Sequence, residues 1–146
     1  MASTYVQLHV HLVFATKGRT PWIADDWREE FHKYIGGTVN ALGAQSIIVG
    51  GVADHVHCLV GLKATTPVAD LVRELKKATN AWARQRQPAF SWQEGYGAFA
   101  VSHHERDKVV AYVANQADHH RKVSSADELR KLLEDNGIVY DERYFE

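Results

Sequence analysis

Apolar and polar residues alternate from Val6 to Phe14. Val6, Leu8, Val10, Leu12 and Phe14 fall on one side, Gln7, His9 and His11 on the other. A period of two predicts a strand with one buried face. Lys17 to Pro21 reads as a basic turn, and the period then lengthens. From Asp25-Asp26 onward, Trp27, Phe31, Tyr34, Ile35, Thr38 and Leu42 recur at helical spacing, with Glu29 and Glu30 near the positive end and Gly43 as the stop. Gln45 to Val52 is a short apolar strand. A tight turn at Ala53-Asp54 leads into a second strand, His55–Leu62. Thr66 as cap and Pro67 in the first position open a helix running to about Gln87, apolar along Val68, Leu71, Val72, Leu75, Thr79 and Trp82. Pro88 ends it. After the Gly/aromatic loop Trp92–Gly97, Ala98–Ser102 is a fourth strand. Two helices follow, Glu105 to about His119 and Ser125–Asn136. In the second, Ser125 and Glu128 match a Ser-x-x-Glu capping box and Gly137 is the stop; Ile138–Phe145 is an extended tail.

Strand, helix, strand, strand, helix, strand and then two helices predicts an α+β chain. Its core is a ferredoxin-like (RRM-like) βαββαβ unit with an antiparallel sheet. In that arrangement the first and third strands sit at the centre. The inter-strand helices cover one face and leave the other available. The chain of 146 residues reads as one domain, 1–146, without repeat or linker.

Composition narrows the setting. With a single cysteine no internal disulfide forms, and Cys58, set in an apolar strand, is expected to pack as a small hydrophobe. A reducing, cytoplasmic environment fits, since no stretch resembles a signal peptide or a membrane span. The net charge of −1 does not announce a nucleic-acid binder, yet the charge is uneven: residues 1–90 carry 10 Lys/Arg against 7 Asp/Glu, residues 91–146 carry 7 against 11. Binding needs only a local basic patch. Arg73, Lys76, Lys77, Asn80 and Arg84 form such a stripe, either an ordinary solvated face or a phosphate-contacting one, to which Lys17 and Arg19 could add.

The chemistry concentrates in histidines. On a strand, His55 and His57 project from one face, with Asp54 beside them, making half of a metal site. The tripeptide His-Val-His also stands at 9–11. Either pair, or all four residues as a Zn²⁺ site, could bind a cation, and such histidines also commonly hydrogen-bond locally and bind nothing. Downstream, Tyr112 and Gln116 are four apart and share a helical face. A tyrosine hydroxyl is a possible covalent nucleophile and a glutamine carbonyl a possible ligand for a hard cation, although both also suit an amphipathic helix with no chemistry.

Taken together in this order, the motifs resemble one family. His55-Val56-His57 resembles the His-hydrophobic-His signature of HUH nucleases. Tyr112 with Gln116 resembles the single-tyrosine HUH transposases, the small enzymes of IS200-type bacterial insertion sequences. The likeness extends over His11–Arg19, Asp54–His57, Trp92–Phe99, and Tyr112–Gln116 with His119–Lys122. It implies that the metal pair is His55 and His57, with Gln116 as third ligand to Mg²⁺ or Mn²⁺. It implies that Tyr112 attacks single-stranded DNA beside a hairpin, leaving a 5′-phosphotyrosine and a free 3′-hydroxyl for strand transfer. It further implies a homodimer whose tyrosine helix serves its own or the other subunit's histidines. Lys17, Arg19, Arg73, Lys76, Lys77, Arg121 and Lys122 are nominated as DNA contacts from charge and position. The alternatives are an idle or domesticated hairpin-binding protein of the same fold and the four-histidine metal protein.

Overall fold

The first alternation becomes a strand shorter than its pattern. In the computed structural model, which describes residues 3–142, β1 spans His9–Ala15. Its ladders begin with His9 opposite Gly61 and Val101, so Val6 lies beyond the pairing and Leu8 joins it only through its carbonyl, which accepts from the Leu62 N–H at 2.8 Å; both stay exposed, while Leu12 and Phe14 are buried. The helix α1 (Asp25–Ala41) buries Trp27, Phe31, Ile35 and Val39, a strict i, i+4 ridge. Tyr34 and Leu42, expected inside, are more than a third exposed; Tyr34 sits at the rim with its ring stacked on Trp82. The strands β2 (Gln45–Gly51) and β3 (His55–Gly61) form the predicted hairpin. Helix α2 covers Val68–Arg84. Thr66 does not cap it: its backbone N–H closes a turn onto Lys63, and Pro67 holds the cap position without a side-chain bond. β4 is Gly97–Val101.

The sheet order is β2-β3-β1-β4, every pair antiparallel, so β1 and β3 are central as expected. Helices α1 and α2 pack on the face made by Leu12, Phe14, Val56, Cys58 and Val60. Burial pushes the Cys58 thiol up to about 12, in keeping with an inert packing role. Phe31 anchors this layer, its ring parallel to Trp82 at 5.2 Å and to Trp92 at 5.9 Å. Truncating so central a ring removes its transfer energy and leaves a cavity. Phe31→Ala is therefore expected to lower the unfolding free energy by about 3–5 kcal/mol in a urea titration.

The opposite face is covered, contrary to the expectation that it stays available. The single helix expected over 105–119 is two. α3 is Arg106–Ala114, the chain leaves helical geometry at Asn115 (φ −99°, ψ 23°), and α4 is Gln116–His119. α5 spans Ser125–Asp135. Gly50 explains the close seat of α3 on the sheet, because a Cβ there would lie 2.3 Å from the Val113 carbonyl oxygen. The expected capping box is absent. Ser124 caps α5 by accepting from the Asp127 N–H at 3.2 Å, which frees Ser125 and Glu128 to point elsewhere. Of the tail expected over 138–145, residues 143–145 lie outside the described residues, and 138–141 are in neither helix nor strand. Among the described residues no helix is long and apolar enough to cross a membrane.

Candidate metal and tyrosine centre

Because β3 is central and covered on both faces, its outward histidines are buried too. His55 is 2% exposed and His57 0%. The break at Asn115 swings Gln116 inward to 1% exposure, and α5 delivers Glu128, 3% exposed, from above. These groups, with His120, form one cluster.

Three imidazoles aim their Nε2 atoms at Glu128. His57 donates to Oε1 at 2.7 Å and His55 to the same oxygen at 3.1 Å; His120 Nε2 lies 3.1 Å from Oε2. The opposite ring nitrogen of each is fixed as well. His55 Nδ1 donates to Asp54 Oδ1 at 2.7 Å, His57 Nδ1 lies 2.7 Å from His11 Nε2, and His120 Nδ1 donates to the Val123 carbonyl at 2.6 Å. Asp54 is held in turn by the Ser125 hydroxyl, which donates to Oδ2 at 3.0 Å. Imidazoles oriented through Nδ1, with Nε2 converging, are in the posture of metal ligands. One ligating atom from each of His55, His57, His120 and Glu128 lies within 4.8 Å of the others, so this buried group could hold a metal ion. Gln116 Oε1 is adjacent, 2.9 Å from His120 Nε2 and 3.3 Å from His55 Nε2.

Tyr112 closes the cluster. Its ring stands edge-on to His57 at 5.6 Å and to His11 at 6.0 Å, and its hydroxyl donates to Glu128 Oε2. His119 Nε2 is 3.1 Å from that same oxygen, at ion-pair distance but outside hydrogen-bond geometry.

The electrostatics follow from this crowding. Burial alone would raise the Glu128 pKa, but hydrogen bonds from His55 and His57 hold it well below the usual carboxylate range. Burial opposes the charged form of His55, yet its bonds to Asp54 and Glu128 win and raise it to about 9. Burial, then the neighbouring His57, lowers His11 to about 3, and burial lowers His57. Burial and the Glu128 anion both push the Tyr112 phenol up. Asp54, pushed up by burial, is drawn below its ordinary value by its bond to His55. Two carboxylates thus stand among the imidazoles of one buried cluster, and a cation held there would meet their charge. Three nitrogens and a carboxylate oxygen form a donor set suited to such a cation.

The sequence-nominated residues divide into groups. Tyr112, His55, His57 and Gln116 are brought together. Arg121 and Lys122 line a cavity of about 870 Å³ that also exposes Tyr112, His119 and Asn115. Arg19, in left-handed backbone (φ 54°), lines a second cavity of about 600 Å³ with Arg28, Asp54 and Ser125. Lys17 is exposed in the turn after β1. Arg73, Lys76 and Lys77 ride on α2, on the other side of the sheet from the histidines. Arg73 pairs with Asp70 and Glu74, and Lys76 Nζ donates to the carbonyls of Gln93 and Gly95. Lys76 thus pins the Gly/aromatic loop. His9 does not join the cluster. The register sets it four positions from Val13, the residue opposite His57, roughly 13 Å along the strand, so the four-histidine site is not formed. Sequence reasoning missed His120 and Glu128. The available signal for Glu128 was a charge four residues before Leu132, on the buried side of α5.

A family model described as "Transposase IS200 like" matches residues 4–116. Among solved structures, a candidate transposase of Deinococcus radiodurans R1 is 25% identical, with a TM-score of 0.64 over 80% of this chain and 96% of that one. A REP-associated tyrosine transposase bound to a REP hairpin is 14% identical, with a TM-score of 0.61 over 84% of this chain and 74% of that one, a likeness of fold. No curated protein matches in sequence.

Proposed function

The chain belongs to the IS200-like transposase family, and from that premise we propose that it cleaves and rejoins single-stranded DNA through Tyr112. The observation that carries this reading is that the Tyr112 hydroxyl and the His55/His57 pair meet at one buried carboxylate, Glu128. A nucleophile and a cation-binding pair are thereby held close together inside one chain.

The Tyr112 oxygen attacks the phosphorus and the bond to the 3′ oxygen breaks. A 5′-phosphotyrosine and a free 3′-hydroxyl result, and attack by another 3′-hydroxyl on the phosphotyrosine completes strand transfer. The phenol proton lies along the bond to Glu128, which makes that carboxylate the acceptor at hand, and the departing 3′ oxygen takes up one proton, so the step is proton-neutral overall. A divalent cation, Mg²⁺ or Mn²⁺, bound by His55, His57 and Gln116 would supply positive charge to the scissile phosphate and offset the raised pKa of the phenol. Asp54, His11 and Val123 keep the three imidazole rings from turning.

The DNA is proposed to lie in the cavity beside Tyr112, with Arg121 and Lys122 on its phosphates and Arg19 and Lys17 as further basic groups on that side; Arg73, Lys76 and Lys77, on α2 across the sheet, do not face that cavity. Removing one phosphate-binding cation should flatten the salt dependence of DNA binding by about one unit of slope. Arg121→Ala and Lys122→Ala are each expected to do so in fluorescence-anisotropy titrations, with little effect on sequence preference. A hairpin substrate is proposed from the structural relative bound to one. A homodimer is proposed from the outer edge of β4, which pairs on its other side with β1. Such an enzyme would act in the cytoplasm, at the nucleoid.

The direct test is incubation with end-labelled single-stranded hairpin DNA and Mn²⁺, followed by a denaturing gel. A covalent protein–DNA adduct is expected. Tight hairpin binding with no adduct on any hairpin substrate would instead favour an idle binding protein of the same fold.

A further inference from the structure

The family match ends at Gln116. Two of the groups gathered around His55 and His57 come from the stretch beyond it. His120 follows α4, and Glu128 sits one turn into α5. Both are largely withdrawn from water, Glu128 to 3% and the His120 side chain to 9%. Both have features of ligands. The Nδ1 of His120 is tied to the Val123 carbonyl at 2.6 Å, which leaves Nε2 facing the cluster. The Glu128 carboxylate approaches each of the three Nε2 atoms within 3.1 Å.

We propose that His120 and Glu128 complete the metal site with His55 and His57, adding a third imidazole and a carboxylate to the Gln116 carbonyl beside them, a donor set that selects a transition cation over Mg²⁺. This rests on the reading of His55 and His57 as a metal pair. Two imidazoles and a neutral amide would make a weak, uncharged site. A third imidazole and an anion raise affinity and shift the preference, because imidazole suits Mn²⁺, Co²⁺ and Zn²⁺ whereas Mg²⁺ favours oxygen ligands and retained waters. The set also joins β3, the end of α4 and α5, so binding the ion fastens the C-terminal helix to the sheet. Glu128 would then touch both the ion and the Tyr112 hydroxyl, which sets the position of the nucleophile relative to the metal.

Cobalt supplies a readout independent of DNA cleavage. The full chain, freed of metal by a chelator, is titrated with Co²⁺ while its visible d–d absorption is followed, and Mg²⁺ is then added in excess. Wild type should bind one Co²⁺ that millimolar Mg²⁺ does not displace. Glu128→Gln and His120→Asn should each weaken binding at least about tenfold and change the absorption bands. Glu128→Asp, which keeps the charge, should retain more affinity than Glu128→Gln, and circular dichroism confirms that each variant is folded. If wild type binds no Co²⁺, or His57→Ala binds as wild type does, the metal-pair reading itself fails. If wild type binds and His57→Ala does not, while folded Glu128→Gln and His120→Asn bind as wild type, His55 and His57 stand and the present inference is overturned. Displacement of Co²⁺ by equimolar Mg²⁺ overturns the selectivity.

Discussion

Tyr112→Phe is expected to abolish the covalent DNA adduct, with strand cleavage falling by about 10⁴-fold or more, to the limit of detection. Removing a nucleophile removes the route, whereas losing a positioning group only slows it. The substitution deletes one oxygen and keeps the ring that stands against His57, His11 and His119. The fold, hairpin binding and Co²⁺ binding should therefore persist, and a thermal melt with an anisotropy titration checks them. Loss of the adduct with all three retained identifies Tyr112 as the nucleophile. An adduct that forms undiminished on the Phe variant would assign the chemistry to another residue.

His57→Ala is expected to lower Mn²⁺-dependent cleavage by about 10³-fold, through loss of charge stabilisation at the scissile phosphate of the size seen when one preorganised electrostatic interaction is removed. His57 is fully buried and bonded on both ring nitrogens, to Glu128 and to His11. Truncation also leaves a small cavity, so some stability is lost, and single-turnover rates across a Mn²⁺ series separate the two effects. A metal-site defect leaves the rate insensitive to added Mn²⁺. A purely structural defect lowers the melting temperature but preserves the metal dependence of whatever protein remains folded. Rates that rise with Mn²⁺ as in wild type would remove His57 from the metal site.

Much of the architecture was legible because it is local. Alternation at 9–15 and 55–61 marked the two central strands, and the ridge from Trp27 to Ile35 marked α1. The juxtaposition of the histidine pair with Tyr112 and Gln116 was implied by the family resemblance, which left open whether it forms within one subunit or between two. What could not be read was long-range. Tyr112 to Gln116 scans as unbroken helix, and only Asn115, a modest helix former, hinted at the break that turns Gln116 inward. Glu128 stands three residues after Ser125 and matches a capping box, a local explanation that concealed its bond to a strand 71 residues earlier in the chain. His120 looked like part of a basic exit. Its burial depends on α5 folding back over the sheet, and nothing in the neighbouring sequence encodes that.

The break at Asn115 also divides the centre into parts of unequal permanence. The histidine pair stands on a central strand, laddered on both edges and packed on both faces, so its amides are expected to be among the slowest of the chain to exchange. Tyr112 and Glu128 stand on helices of nine and eleven residues, joined by one of four, each too short to persist without its tertiary packing. The centre is therefore built in two tiers: a floor that belongs to the sheet, and a cover whose order depends on what it touches, chiefly the Glu128 cluster and the seat of Val113 against Gly50.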